Sequence, residues 1–213
     1  CSTKWMVGTV NSFYIGIIAT VIATALGTLA ALGLSRPHMP YKGLIMAILI
    51  SPMIVPLIIT AAGMFFFYAR INLVYTFTGV ILAHVALATP FVVITVTATL
   101  VGFDMNMVKA AQSLGAKPMR TFFKVIMPLI LPGIISGALF AFITSFDEVV
   151  IVMFMASIDQ LTIPKQMWAG IRQEISPVIL CMATCLVLLS IFLLTTVELL
   201  RRRSEKLRGI KAR

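Results

Sequence analysis

The sequence contains few charged residues: Asp, Glu, Lys and Arg make up only 11% of its 213 residues. Soluble domains usually contain about 25%. In addition, 60% of the residues are hydrophobic and the mean hydropathy is +1.06. A water-soluble fold of this composition would expose a large apolar surface, so we predict an integral membrane protein.

Acidic residues are especially scarce, since seven Asp and Glu stand against seventeen Lys and Arg and leave a net charge of +10. A charge of this size can indicate nucleic-acid binding. Here, however, the basic residues fall between apolar runs and at the C-terminus, not along one face of a folded domain. We therefore predict a lipid bilayer as the environment and no nucleic-acid partner.

The residues and motifs of common catalytic sites are also lacking. The chain has three cysteines and two histidines, and their spacing does not match a metal site. His84 lies within an apolar run, where a packed or hydrogen-bonded histidine is more common than a proton relay. The sequence has neither a Gly-rich phosphate loop ending in Lys-Ser/Thr nor Gly-x-Ser-x-Gly. The prediction is a chain without catalytic residues, metal or cofactor, whose energy comes from another subunit.

Five apolar stretches are long enough to cross a membrane, which takes about 20 residues per helix. They cover approximately residues 7–34, 43–69, 78–102, 125–156 and 177–200. None shows the alternation of a barrel strand. The predicted fold class is therefore all-α, a polytopic transmembrane helical bundle that forms a single domain over residues 1–213.

The distribution of basic residues predicts the orientation, because cytoplasmic loops are rich in Lys and Arg. With a cytoplasmic C-terminus, thirteen of the seventeen basic residues lie inside, many of them in the tail 201–213. The remaining four lie outside: Lys4, Arg70, Lys165 and Arg172. This asymmetry places the segment 103–124 in the cytoplasm.

The predicted spans contain prolines and regularly spaced small residues. Prolines at 52, 56, 90, 128 and 132 bend helices, either as packing irregularities or as parts of a pathway that opens and closes. The first span has small residues three or four apart, which predicts close helix packing. They are Gly16, Ala19, Thr20, Ala23, Gly27 and Ala30.

The polar segment 103–124 is predicted to form a helical hairpin. Asp104 is a suitable N-cap for a helix over residues 105–114, and Gly115 suits the left-handed position that ends it. Pro118 fits the first turn of a second helix that continues into the fourth span.

Two small residues in the first helix, Ala110 and Ala111, would let another protein approach its backbone closely. A plain basic loop with some helix would explain the charge, but not the paired alanines, the glycine and the stop at Pro128 together. We therefore favour a docking site for a soluble partner.

The spacing of this segment resembles that of ABC importer permeases. Their cytoplasmic loop has Glu-Ala-Ala, three residues, Gly, nine residues and Ile-x-Leu-Pro. This chain has Lys109-Ala110-Ala111, three residues, Gly115, nine residues and Val125-Ile126-Met127-Pro128. Lys109 stands where the family usually has Glu. Over its whole length the chain is similar to type I importer permeases with the methionine-importer-like fold.

This resemblance implies the location and the partners of the chain. It implies a multi-pass protein of the bacterial plasma (inner) membrane, with two ABC ATPase subunits, a second permease subunit and a periplasmic or extracellular solute-binding protein. Lys109, Ala110, Ala111, Gly115 and Pro128 would belong to the ATPase-coupling hairpin. Such permeases usually have six spans, so five predicted spans in a chain that begins at Cys1 fit the absence of the first.

Two carboxylates, Asp147 and Glu148, lie inside or at the end of the fourth apolar stretch. Ionisable groups in spans are costly and normally face a cavity or a partner charge. Alternatively, the span ends near Ser145 and both acids lie in water at its mouth. Since adjacent helix positions diverge by about 100°, both acids cannot point into one narrow path.

The segments 145–150, 161–164 and 166–168 resemble the polyamine (spermidine/putrescine) permeases within this family. The resemblance implies a flexible polycation as solute, bound by charge pairing and cation–π contact. The candidates are Phe146, Asp147, Glu148 and Trp168, although Trp168 also suits the membrane interface. The outer segment 157–176 would meet the solute-binding protein.

Other functions remain as alternatives: a permease for another small solute, an ion-coupled secondary transporter or an intramembrane enzyme. Secondary transporters often contain two inverted repeats, and the sequence shows no internal duplication. An enzyme would need more paired ionisable groups than Asp147 and Glu148.

Overall fold

The computed structural model describes residues 3–36, 39–101, 106–173 and 177–207, and all regular elements there are helical. The all-α prediction is thus confirmed. In chain order the helices are α1 (Thr3–Leu34), α2 (Lys42–Ile54), α3 (Leu57–Arg70), α4 (Phe77–Val101), α5 (Asn106–Ser113), α6 (Pro118–Thr121), α7 (Met127–Phe146), α8 (Val150–Met155), α9 (Ile163–Gln173) and α10 (Pro177–Leu207). A π-helical segment, Phe122–Ile126, joins α6 to α7.

Within the described ranges, four helical stretches are long and apolar enough to cross a membrane, and a fifth is added if a bent pair counts as one span. The four are Thr3–Leu34, Phe77–Val101, Pro118–Phe146 and Pro177–Thr196. The bent pair is α2 and α3, whose axes turn by 105°. The second predicted span is therefore not one continuous helix, because Pro56 lacks the N–H that would extend α2.

The core lies where α1, α4 and α7 pack against one another. Small residues allow this close approach: Gly16, Ala19, Ala23 and Gly27 of α1 are all buried. A Cβ added at Gly27 would lie only 2.6 Å from the Cβ of Val92 in α4. The predicted packing role of the small residues in the first span is thus confirmed at these four positions.

The fourth apolar stretch is interrupted in its C-terminal half. α7 ends at Phe146, and Asp147 has φ −89° and ψ 0° before the short helix α8 begins at Val150. The end of α7 agrees with the alternative in which the helix stops near Ser145. Asp147 and Glu148 consequently lie at a helix break, where a side chain can bond to backbone groups that have no helical partner.

The contact at Gly27 generates a test of the core. Gly27→Ala should destabilise the protein by about 1–3 kcal/mol, because the new methyl group pushes Val92 and α4 away from α1. Gly33→Ala in the same helix is the control, since nothing lies within 4 Å of a Cβ added there. Thermal unfolding in detergent should show a lower Tm for Gly27→Ala only. Equal Tm values for the two variants would contradict this packing.

Candidate functional site

The turn of the predicted hairpin is a Schellman motif at the end of α5. Gly115 has φ 80°, its N–H donates to the carbonyl of Gln112 at 2.9 Å, and the N–H of Ala116 donates to that of Ala111 at 3.0 Å. These bonds occupy carbonyls that the helix end would otherwise leave free. The left-handed conformation predicted for Gly115 is confirmed, whereas the predicted N-cap Asp104 lies outside the described residues.

The second arm of the hairpin begins at Pro118, as predicted, with Lys117 extended before it. It passes through the π-helical segment, in which the N–H of Met127 donates to the carbonyl of Phe122, five residues back. Pro128 follows directly and has no N–H to continue the ladder. The helical stretch Pro118–Phe146 is nonetheless long enough to span a membrane, so the second arm of the hairpin and the C-terminal end of α7 belong to one helical stretch.

Large apolar side chains are exposed along the hairpin. Leu114 is 89% exposed, Met119 69% and Phe123 56%, whereas Val108 and Thr121 are buried. Four basic residues of the hairpin are also exposed: Lys109, Lys117, Arg120 and Lys124. Of the other predicted coupling residues, Ala110 and Pro128 are exposed and Ala111 is half-buried. The three large apolar residues were not among the residues predicted from the sequence.

At the C-terminal end of α7, Phe146 is enclosed by other aromatic rings. Its ring centroid lies 5.0 Å from that of Phe13 in α1 and 5.2 Å from that of Phe142. Phe146 is buried, while Phe13 remains 39% exposed. Phe146 therefore connects α1 to α7, and Phe13 is the more accessible aromatic face, which sequence analysis missed because it lies far away in the chain.

The two carboxylates beyond Phe146 have different surroundings. Glu148 is buried, and its Oε1 accepts a hydrogen bond of 2.8 Å from the N–H of Ile151 in the first turn of α8. Asp147 is exposed. A carboxylate near a helix N-terminus is favoured by the free N–H groups and the helix dipole. Glu148 thus supports α8, whereas Asp147 is the carboxylate that is open to its surroundings.

The opposite end of α8 is held by Lys165 from α9. Its Nζ donates to the carbonyls of Val152 at 3.2 Å and Ala156 at 2.9 Å. Burial lowers the pKa of Lys165. The helix α8 is therefore stabilised by an acid at its N-terminus and by a base at its C-terminus. The role of Lys165 at the end of α8 was not predicted, because the sequence identified this residue only as one of four basic residues outside the cytoplasmic segments.

Trp168 lies on α9, where the Arg172 guanidinium stands 5.3 Å from its ring centroid. Among the described residues, no hydrogen bond or ring contact joins Trp168 to Phe146, Asp147 or Glu148. The structure thus places together the three consecutive candidates and leaves Trp168 on a separate helix.

The segment before α9 is bound to α1. The Asn11 side chain donates to the carbonyls of Asp159 at 2.7 Å and Leu161 at 3.0 Å. The N–H of Ile163 donates to the Ser12 hydroxyl at 2.9 Å. These bonds fix α9 beside the N-terminal part of α1.

His84 of α4 is buried and shares a hydrogen bond of 2.8 Å, through Nδ1, with the Ser145 hydroxyl. The predicted hydrogen-bonded role of this histidine is confirmed. The bond joins α4 to the last turn of α7, directly before Phe146 and the carboxylates. It therefore holds the C-terminal end of α7 in a defined position.

Comparison with known proteins matches most of the chain. Residues 9–206 match the family described as the binding-protein-dependent transport system inner membrane component. The spermidine/putrescine transport system permease protein PotC of Haemophilus influenzae is 30% identical over 196 residues, covering 92% of this chain and 76% of that protein.

Solved structures show a similar fold. A crystal structure of an amino acid ABC transporter has a TM-score of 0.67 at 18% identity and covers 94% of both chains. The inward-facing MetNI methionine ABC transporter has a TM-score of 0.60 at 19% identity and covers 100% of both chains. At these identities the likeness concerns the fold alone.

Proposed function

Because the chain belongs to the family of inner-membrane components of binding-protein-dependent transport systems, we propose that it forms the solute path of an ATP-driven importer of polyamines such as spermidine and putrescine. The family is one of multi-pass membrane subunits without catalytic activity, and ATP is hydrolysed by a separate subunit. The prediction that this chain is not an enzyme is confirmed in this way, and the family also implies ATPase and binding-protein partners.

The coupling hairpin, residues 106–124, is the proposed contact with the ATPase subunits. Its exposed Leu114, Met119 and Phe123 provide apolar contact area, and its exposed basic side chains suit an acidic groove. The positive-inside distribution supports a cytoplasmic hairpin and a cytoplasmic C-terminus. Movement of a docked ATPase would displace Gly115 and the helical stretch Pro118–Phe146 together.

The observation that carries the proposal is the position of Asp147. It is an exposed carboxylate at the outer end of the same helical stretch that begins in the coupling hairpin. Displacement of the hairpin would therefore move this carboxylate. A polyamine carries several ammonium groups, which pair with carboxylates and stack on aromatic faces such as the accessible Phe13.

The remaining partners are assigned to other surfaces. The outer segment 157–176, with Trp168 and Arg172 exposed on α9, would face the solute-binding protein. Much of α10 is exposed and apolar, which suits lipid. A second permease subunit would complete the path. Among the alternatives, an importer permease for a different small solute uses the same hairpin and differs only in the role of Asp147.

Gly115→Val tests the coupling hairpin. A β-branched residue at φ 80° is strained by more than the 1–2 kcal/mol typical of left-handed residues, whereas asparagine tolerates this conformation. Nothing lies within 4 Å of an added Cβ, so the effect is conformational and not steric. In proteoliposomes with the ATPase subunits, Gly115→Val should abolish ATP-driven uptake while Gly115→Asn retains most of it. Normal uptake by a correctly inserted Gly115→Val variant would refute the docking role.

Asp147→Asn tests the solute path, with Glu198→Gln, an acid of α10 that pairs with Arg202 outside the proposed contact surfaces, as its control. Removing one charged hydrogen-bond partner of an ammonium group costs about 1.5–3 kcal/mol. Spermidine uptake from saturating, loaded binding protein should therefore fall roughly tenfold or more in Asp147→Asn and stay unchanged in Glu198→Gln. Stimulation of ATP hydrolysis by the binding protein should persist in both variants. Equal uptake by the two variants would remove Asp147 from the path.

A further inference from the structure

Phe13 and Asp147, the two groups proposed to bind the solute, belong to parts of the chain that are far apart in sequence. Phe13 lies on the long helix α1, whereas Asp147 lies in the non-helical residues between α7 and α8. Connecting residues are generally more mobile than the helices they join. The contacts that hold this break therefore decide where the carboxylate of Asp147 lies relative to the ring of Phe13.

A single turn of α1 contacts both the helix before the break and the segment that leads into α9. The Phe13 ring centroid lies 5.0 Å from that of Phe146, the last residue of α7. Asn11 and Ser12, which directly precede Phe13, bond to backbone groups of residues 159, 161 and 163. Residues 11–13 thus connect α7 and α9 to the same point of α1.

The start of α9 is held firmly against α1. A Cβ added at Gly8 would lie 3.1 Å from the Oε1 atom of Gln166, so the two helices approach each other closely. The segment before α9 is bonded internally as well. Oε1 of the buried Gln160 accepts hydrogen bonds from the N–H of Ser157 at 2.9 Å and from the Ser157 hydroxyl at 2.7 Å. The chain therefore enters the first turn of α9 in a fixed position.

Lys165, in that first turn, connects α9 to the C-terminal end of α8. Its Nζ donates to the carbonyls of Val152 and Ala156, the latter being the residue that ends α8. The last carbonyls of a helix favour a cation, because they have no helical partner and lie at the negative end of the helix dipole. Lys165 consequently fixes the end of α8 relative to α9 and α1.

These contacts form a closed ring around the break. It runs from α1 through α9, Lys165 and α8 to the break, and returns through Phe146 to α1. At the N-terminus of α8, Glu148 binds the first turn through its side chain and is the neighbour of Asp147. Among the described residues, no salt bridge joins Lys165 to Asp147 or Glu148. Lys165 therefore reaches the break through α8 and not by pairing with either carboxylate.

We propose that Lys165 is a positioning residue of the solute path, which holds the Asp147 carboxylate where a polyamine can bind it and the Phe13 ring together. The proposal rests on the proposed function, in which Asp147 binds the solute, and it adds a residue that does not touch the solute. Without Lys165, the link from α8 to α9 relies on the connecting segment 156–162, and the position of Asp147 relative to α1 is less well defined.

A double-mutant cycle between Lys165 and Asp147 tests this role, because residues that act as one unit have non-additive effects. Lys165→Met retains a long side chain without its donors, and Lys165→Arg supplies N–H donors again. The N–H of Tyr75 still donates to the carbonyl of Met155 at 2.9 Å, so α8 keeps a backbone contact in both variants. Each is combined with Asp147→Asn, and spermidine uptake from saturating, loaded binding protein is measured in proteoliposomes with the ATPase subunits.

We expect Lys165→Met to lower uptake at least about threefold and Lys165→Arg to restore most of it. In the Asp147→Asn background, Lys165→Met should lower uptake little further, because the carboxylate that it positions is already absent. Stimulation of ATP hydrolysis by the binding protein should persist in Lys165→Met. Lys4→Met, which removes an exposed lysine of α1 outside the ring, is the control and should leave uptake unchanged.

Three results would overturn the proposal: unchanged uptake by Lys165→Met, a loss in the double variant equal to the product of the two single losses, or a parallel loss of stimulated ATP hydrolysis. The last would assign Lys165 to binding-protein docking. If Lys165→Met fails to insert into the membrane, Asn11→Leu opens the same ring at α1 and enters the same cycle.

The positioning role and the proposed function fail separately. Polyamine uptake that falls in Asp147→Asn, with multiplicative losses in the double variant, refutes the positioning role alone. Absence of polyamine uptake by the unaltered transporter, or full uptake by Asp147→Asn, refutes the proposed solute path itself.

Discussion

The structure depends on one constraint: inside a bilayer, the backbone must find its hydrogen-bond partners within the protein. Long helices meet this requirement by themselves, and most of the chain is built from them. Two breaks interrupt apolar segments, one at Val55–Pro56 and one at 147–149. At the second break the chain supplies its own partners, since Glu148 bonds to one end of α8 and Lys165 to the other. At the first, no side chain caps the N-terminus of α3.

The same constraint explains how the proposed ATPase contact is physically connected to the proposed solute path. The helical stretch Pro118–Phe146 begins in the coupling hairpin and ends directly before Asp147. Glycine and alanine residues hold α1 close to α4 and α7, so the core behaves as one packed unit. The bond between His84 and Ser145 joins α4 to the C-terminal end of this stretch. In the proposed mechanism, a movement applied at Gly115 would reach the break at 147–149 through these packed helices.

Local chemistry made much of the fold predictable. The length of the apolar runs predicted helices, Gly115 predicted the turn because few other residues accept φ 80°, and Pro118 predicted a helix start. The bend at Pro56 was foreseeable as a bend, but its angle depends on how α2 and α3 pack against α4 and α8. The environment of the candidate solute site was harder to predict from the sequence. The ring of Phe146 packs against that of Phe13, which lies more than a hundred residues away along the chain. A contact between such distant residues cannot be inferred from a single sequence.

The central claim is that a soluble ATPase acts on the hairpin from the cytoplasmic side. A single cysteine at Leu114, in a chain whose native cysteines are replaced by serine, tests this with a membrane-impermeant thiol reagent in sealed vesicles. The account predicts labelling only in inverted vesicles, and protection once ATPase subunits are bound. Labelling in right-side-out vesicles, or undiminished labelling with ATPase bound, would contradict it.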